Sequence, residues 1–242
     1  MTIPFPKGRL SVRMARTEAE VAHCQALRHL CFFGSEGQDA DEFDDRCRHL
    51  MVTDEESRLV ATARLQFFAD GRDLHKSYAA QCYDLSGLSQ VSEPMVEVGR
   101  FCIASHAVDA DVLRLAWGAL TGMVDGAGVR FLFGCSSFAG TEPQRFGRAF
   151  ARLVAGHLGP DTLRPSPTGG ETVALSAIPV DGQEPLPPLL RTYLAMGGWV
   201  GGHVTIDRQM NTLHLFTCVD VKSVPPARAK ALRALAQGIT LA

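Results

Sequence analysis

Glu97 and Arg100 stand three residues apart in MVEVGRFCIA, residues 95–104, a run that otherwise reads as an apolar strand. An ionised carboxylate inside such a strand is costly unless it is paired or put to use. Regular alternation sends the two side chains to opposite faces. A β-bulge at Gly99 would bring them to one side and open a gap whose backbone N–H groups can polarise a carbonyl. The competing reading is a structural ion pair of Glu97 with Arg64 or Arg100. Arg64 sits in a second apolar run, LVATARLQFF, residues 59–68.

Other residues can join them. Arg28, Arg64 and the aspartates Asp41, Asp44 and Asp45 can form a charge network around a polar pocket. A solvated loop with stray surface pairs, worth little, is the alternative. Ser136 and Ser137 close the apolar stretch FLFGCSSF, where a hydroxyl can donate to an oxyanion or leaving group, or simply cap backbone. There is no GxSxG elbow, which speaks against a serine hydrolase. His106, His203 and His214 lack metal-ligand spacing, and no metal site is expected. Arg145, Arg148 and Arg152 fall at i, i+3 and i+7 of one expected helix, a stripe for an acidic partner or for water alone.

These side chains need elements to position them. LSVRM, residues 10–14, reads as a first strand. Thr17, with Glu20 three residues on, opens a helix in which Val21, Cys24, Leu27, Leu30 and Cys31 recur at helical spacing. Residues 34–48 are acidic and read as a loop or a loosely formed helix. Residues 49–55 and 59–68 read as a hairpin, and 69–92 as irregular. Asp109 can cap a helix over 110–126, ended by Gly126 and Gly128. A buried strand at 131–138 leads to a helix at 143–158. ETVALSAI suggests a strand, LPPLLRTYLAMGG a short helix, 203–221 one or two strands, and the tail from Ala227 to Gln237 a helix. The alternation of strands and helices implies a mixed α/β layer around one central sheet.

The whole chain sets limits. Its 242 residues suit one large domain or one domain with an added subdomain, and a formal net charge of −2 provides no global basic field for nucleic acid. Seven scattered cysteines without a CxxC pair read as reduced thiols in a cytosol. No leader-type apolar run opens the sequence, and none approaches the roughly 20 apolar residues that span a bilayer.

The order of motifs adds to this reading. LRHLCFF, DADEFDD, ATARLQ, EVGRFCI and FLFGCSSFAGTEP, followed by LPPLLRTYLAMGGWVG and IDRQMNTLHLF, resemble the bacterial L-ornithine N(alpha)-acyltransferases that make lyso-ornithine lipid. The first four also resemble acyl-homoserine-lactone synthases; both families belong to the GNAT superfamily. The resemblance runs from about residue 10 to residue 220. It implies a GNAT fold, a mixed splayed sheet flanked by helices, as a single domain over 1–242 with a core of about 10–158 and a C-terminal extension of about 159–242. The implied reaction moves a 3-hydroxyacyl group from the phosphopantetheine thiol of acyl carrier protein to the α-amine of ornithine or glutamine. No cofactor is implied beyond that acyl-phosphopantetheine co-substrate.

Each residue then takes an expected role. Glu97 is the general base, Arg100 or Arg64 holds the amino acid's carboxylate, and Asp41 or Asp44 meets an ornithine ammonium. Backbone N–H groups around Phe101, Cys102 and Ile103 hold the oxyanion, and Ser137 or Ser136 protonates the leaving thiolate. Coenzyme A-dependent relatives have a glycine-rich turn after the bulged strand; here the turn is ASHAVDAD, without glycine and with two aspartates that repel a diphosphate. That favours acyl carrier protein as donor, and Arg145, Arg148 and Arg152 become its dock. The expected location is the cytoplasm; the basic C-terminal helix either packs as an ordinary terminal helix or touches anionic lipid at the inner membrane. The alternatives are an acyl-homoserine-lactone synthase, which needs S-adenosylmethionine, and a non-catalytic module that binds acyl carrier protein or lipid.

Overall fold

A computed structural model of the chain describes residues 10–107 and 109–237. Residues 1–9, searched above for a leader, and Val108 of the ASHAVDAD turn lie outside the described residues. The elements run β1 (Leu10–Met14), α1 (Glu18–Phe33), β2 (Arg48–Asp54), β3 (Leu59–Phe68), β4 (Tyr83–Asp84), α2 (Ser86–Ser89), β5 (Met95–Ile103), α3 (Ala110–Gly126) and β6 (Phe131–Ala139). They continue with α4 (Gly147–Gly156), β7 (Ser166–Pro167), β8 (Thr172–Ala174), α5 (Pro188–Ala195), β9 (Trp199–Asp207), β10 (Thr212–Asp220) and α6 (Pro226–Ala236). They fall into two compact units.

One unit comprises the described residues of Met1–Phe67, Val98–Gly128 and Pro226–Ala242. Its strands lie in the order β1-β2-β3-β5, with β1 antiparallel to β2 and β2 antiparallel to β3. One sheet face carries Val12, Leu50, Val52, Ala61 and Ala63 against Val112, Leu115 and Ala116 of α3. Burying each of these valines and leucines contributes about 1.5–3 kcal/mol. Asp109 caps α3 as expected, its carboxylate accepting from Asp111 N, and Gly128 turns left-handed (φ 61°) beyond the helix end. Thr17 caps α1 by accepting from Glu20 N at 3.2 Å. α1 buries Cys24, Leu27 and Arg28, whereas Leu30, expected on the apolar face, is 51% exposed together with Phe33. α6 lies along α3, where Arg233 grips Asp125 with two bonds of 2.8 and 3.1 Å.

The other unit comprises Phe68–Glu97 and Val129–Pro225. Its sheet runs β5-β6-β10-β9-β8, parallel between β5 and β6 and antiparallel elsewhere. The parallel ladder joins Met95, Val96 and Glu97 to Phe131, Leu132 and Phe133. The region expected to be irregular, 69–92, folds into two 3-10 turns, β4 and α2, which bury Leu74, Ala79, Tyr83 and Leu88 in one cluster with Phe133 and Phe216. A second core packs Phe146, Phe150 and Leu153 against Phe138, Val204 and Leu215. The expected helix at 143–158 starts as a 3-10 turn, Pro143–Phe146, and becomes α-helical only at Gly147. A Cβ on Gly147 would lie 1.8 Å from the Pro179 carbonyl oxygen, so this contact requires glycine. Of ETVALSAI only Thr172–Ala174 is strand, and the 203–221 stretch resolves into two strands, β9 and β10.

Candidate active site

In the first unit, three arginines from three elements converge on one acidic loop. Arg28 of α1 contacts Asp44 (Nη1–Oδ1 2.9 Å, Nη2–Oδ2 3.0 Å) and Asp39 (Nε–Oδ2 2.8 Å) and also donates to the Asp39 carbonyl. Arg64 of β3 bonds Asp44 Oδ1 at 3.0 Å and Asp41 Oδ1 through the same nitrogen, and its guanidinium lies over the Phe43 ring. Arg100 of β5 lies 3.1 Å from Asp39 Oδ2 and 3.4 Å from Asp41 Oδ2. The three carboxylates offset the three guanidinium charges, which makes burial tolerable.

The cluster is graded in access. The Arg28, Asp44 and Arg64 side chains are 0, 5 and 4% exposed, whereas those of Arg100 and Asp41 are 16 and 24% exposed. Asp44 is saturated, its oxygens accepting from Arg28, Arg64, Gln25 and the Asp41 N–H. On Asp41, Oδ1 is held by Arg64 and the Phe43 N–H, while Oδ2 has the long contact to Arg100. Only this rim pair presents both a cation and an anion to solvent. His49 of β2 lies beneath, its Nε2 3.3 Å from the Asp44 carbonyl oxygen. Burial lowers its pKa, helped by the Arg28 and Arg64 charges against the pull of Asp44.

Arg100 itself has a left-handed backbone (φ 52°). A non-glycine residue there costs about 1–2 kcal/mol, and the irregularity expected at Gly99 falls one residue later. Beyond it, Phe101 and Ile103 pack towards the α3 side of the core, and Cys102 joins Leu27 and Ala104 on the other. At the start of α3, Asp109 occupies the N–H of Asp111 and Asp111 pairs with Arg114 at 3.1 Å, so this helix N-terminus already carries the protein's own anions.

In the second unit, Glu97 is 5% exposed and both its oxygens accept backbone N–H groups, from Tyr78 at 2.8 Å and Ala79 at 2.7 Å. It thus caps the 3-10 turn Ala79–Gln81, which has no side-chain cap of its own. Ser136 is buried and accepts from Thr217 Oγ1 at 2.9 Å, whereas Ser137, paired across the ladder with His214, is exposed. The His214 ring is buried, with Nδ1 3.2 Å from the Tyr83 hydroxyl, which also receives Thr205 Oγ1 at 3.3 Å. Arg148 and Arg152 lie one turn apart and exposed on α4. Arg145 lies on the preceding 3-10 turn, 3.3 Å from Glu184, so the expected single-helix stripe is two residues long.

Residues 27–118 match the acetyltransferase (GNAT) domain family. Over 234 residues the chain is 29% identical to the L-ornithine N(alpha)-acyltransferase of Rhodobacter capsulatus, an alignment covering 88% of this chain and 90% of the relative. It is 26% identical over 251 residues to the enzyme of the same name from Brucella abortus, covering 90% and 86%. FeeM, an N-acyl amino acid synthase from uncultured soil microbes, shares the fold over 96% of this chain and 99% of its own, with a TM-score of 0.52 at 11% identity. The chain is a GNAT-fold acyltransferase.

The acyltransferase's matched domain spans Arg28, Asp39, Asp41, Asp44, Arg64, Glu97 and Arg100. The structure gathers all but Glu97 of these into the charge cluster of the first unit. Asp45, named from the sequence with Asp41 and Asp44, is exposed, while Asp39, which the sequence reading passed over, is bound by two arginines. His49, buried among the guanidinium groups, was also missed. Among the described residues of the acyltransferase no helix is long and apolar enough to cross a membrane, and no group of three or more His, Cys, Asp or Glu is placed to hold a metal.

Proposed function

We propose that the chain transfers a 3-hydroxyacyl group from the phosphopantetheine thiol of acyl carrier protein to the α-amine of ornithine, giving a lyso-ornithine lipid. The observation that carries this reading is the near full-length likeness to proteins named L-ornithine N(alpha)-acyltransferase. The Arg100–Asp41 rim supports it, because ornithine brings a carboxylate for the guanidinium and a side-chain ammonium for Asp41 Oδ2. Asp44 has no free oxygen for that task. Arg64, already committed to Asp41 and Asp44, holds Asp41 in place.

For the donor, the helix start that holds a diphosphate in coenzyme A-dependent enzymes is here occupied by Asp109 and flanked by Asp111. A carrier-protein arm brings one phosphodiester and needs no such cradle. We assign Arg148 and Arg152, with Arg145 as a weaker third, to the acidic carrier surface. α6, with Arg228 and Lys230 exposed, is the surface offered to an anionic membrane from the cytoplasmic side.

In the reaction, Glu97 takes a proton from the ornithine α-ammonium, directly or through a water. The amine attacks the thioester carbonyl, and backbone N–H groups around Phe101, Cys102 and Ile103 hold the oxyanion. The C–N bond forms first; as the adduct collapses and the C–S bond breaks, the exposed Ser137 hydroxyl relays the surplus proton of the attacking nitrogen to the departing thiolate and keeps its own charge unchanged, while Glu97 releases its proton to water. The test is incubation with 3-hydroxyacyl carrier protein and single amino acids, reading free thiol and product mass. Ornithine-dependent thiol release with the mass of the amide is expected. Thiol release only with S-adenosylmethionine and a lactone product, or only with acyl-coenzyme A, overturns the reading.

A further inference from the structure

Cys31 on α1 and Cys102 on β5 belong to the same unit. Cys31 packs against the buried cluster of Leu27, Cys102 and Ala104. Its thiol donates to the carbonyl oxygen of Ile103, the residue next to Cys102, at 3.6 Å. The two thiols differ in access: Cys31 is half-buried, while Cys102 is 6% exposed. Cys24, two turns earlier on α1, is fully buried. Two cysteines packed into one cluster, one partly open to solvent and the other shielded, have the arrangement of an attacking and a resolving cysteine.

We propose that Cys31 and Cys102 form a reversible oxidation site that reacts with a peroxide and closes to an intramolecular disulfide. The Cys31 thiolate attacks one peroxide oxygen; the S–O bond forms, the O–O bond breaks, and water leaves after protonation. The Cys102 thiol then attacks the Cys31 sulfur, the S–S bond forms, the S–O bond breaks, and a second water leaves. Two thiols are oxidised by two electrons and one peroxide is reduced to two waters. The interaction with Cys102 holds the Cys31 thiol below its ordinary range, while the same interaction and burial push Cys102 up. That ordering makes Cys31 the attacking thiol. Closure to the roughly 2.05 Å of a disulfide fastens the last turns of α1 to β5 two residues beyond Arg100. The site does not depend on the acyl-transfer reading, because its test reads sulfur chemistry alone.

The full chain is treated with hydrogen peroxide, quenched by alkylation, digested without reductant and mapped by mass spectrometry. The expected product is a linked peptide pair carrying Cys31 and Cys102, two hydrogens lighter than the reduced pair and released by dithiothreitol, with Cys24 still free. In Cys102→Ser, Cys31 should accumulate as a sulfenic acid that dimedone traps; in Cys31→Ser, Cys102 should stay reduced. Cys31 oxidised to a sulfinic acid beside a free Cys102, or a link from Cys31 to another cysteine, overturns the proposal. The wild-type map decides this whether or not the Cys102 variant folds.

Discussion

Arg28 and Asp44 meet through two parallel contacts, 2.9 Å and 3.0 Å, with both side chains sealed from solvent. Burial alone would raise the Asp44 pKa, but Arg28 first, then Gln25 and Arg64, hold it well below the ordinary carboxylate range. Removing the carboxylate leaves two buried guanidinium groups short of a partner. Asp44→Ala should therefore cost about 3–5 kcal/mol in urea unfolding. Its native pKa is depressed, so the Asp44 contribution is complete above the unfolded value of 3.8 and is lost as pH falls below it. A variant within about 1 kcal/mol of wild type would show that the pair is redundant.

Asp41 is the more accessible carboxylate of the cluster, and its Oδ2 has only a long contact to Arg100. Asp41→Asn keeps the size and removes the charge that we assign to the ornithine ammonium. KM for ornithine should rise by about tenfold or more, the equivalent of one charge-assisted bond of about 1.5–3 kcal/mol. Norvaline, which lacks the side-chain ammonium, should lose little between wild type and variant. Equal losses for both amino acids would remove Asp41 from side-chain recognition.

His49 has its pKa lowered by burial first, with the Arg28 and Arg64 charges adding to the effect. Below the ordinary value of 6.5 the unfolded chain takes up this proton before the native one does. Stability should therefore be full above that pH and fall as pH drops from there towards the depressed native pKa. His49→Gln should flatten this limb of a urea-midpoint profile between pH 7 and 5 (about the window that histidine titration covers). A limb of unchanged slope would assign the pH dependence to other groups.

Arg148 and Arg152 are exposed one helical turn apart, and if they receive the acidic carrier protein their contribution is electrostatic. The double reversal Arg148→Glu, Arg152→Glu should raise KM for the acyl carrier substrate about tenfold or more at low salt, with the difference shrinking as salt screens the charges. KM for ornithine should not move. A salt-independent change, or none, would place the dock elsewhere.

Much of this was legible in the sequence where periodicity or capping chemistry governs. The Asp109 cap, the Gly128 turn and the apolar strands all form as their residues imply. The charge cluster was legible as a set of residue types but not in its membership. The 34–48 loop has no period to say which carboxylate turns inward, and a 3-10 turn at Asp44–Arg46 buries Asp44 while leaving Asp45 in water. Asp39 is drawn in only because arginines from α1 and β5 reach it together. Arg145 leaves the expected stripe because the helix begins as a 3-10 turn at Pro143, which changes the angular spacing. The partners of Glu97 come from the backbone of an aperiodic stretch, Tyr78 and Ala79, where no side-chain type marks them.

Those partners shape the test of Glu97. Both oxygens accept backbone N–H groups, Oε2 from Tyr78 and Oε1 from Ala79. Glu97→Gln keeps one acceptor oxygen but turns an amide N–H2 towards the other donor, so a stability loss of about 1–3 kcal/mol is expected even in a folded variant. If Glu97 is the base, turnover should fall by about 10²–10⁴ beyond anything that loss explains. The residual rate should climb with pH as the substrate amine deprotonates on its own. A folded Glu97→Gln enzyme with wild-type turnover and a wild-type pH profile would leave Glu97 as the cap of the Ala79–Gln81 turn and nothing more.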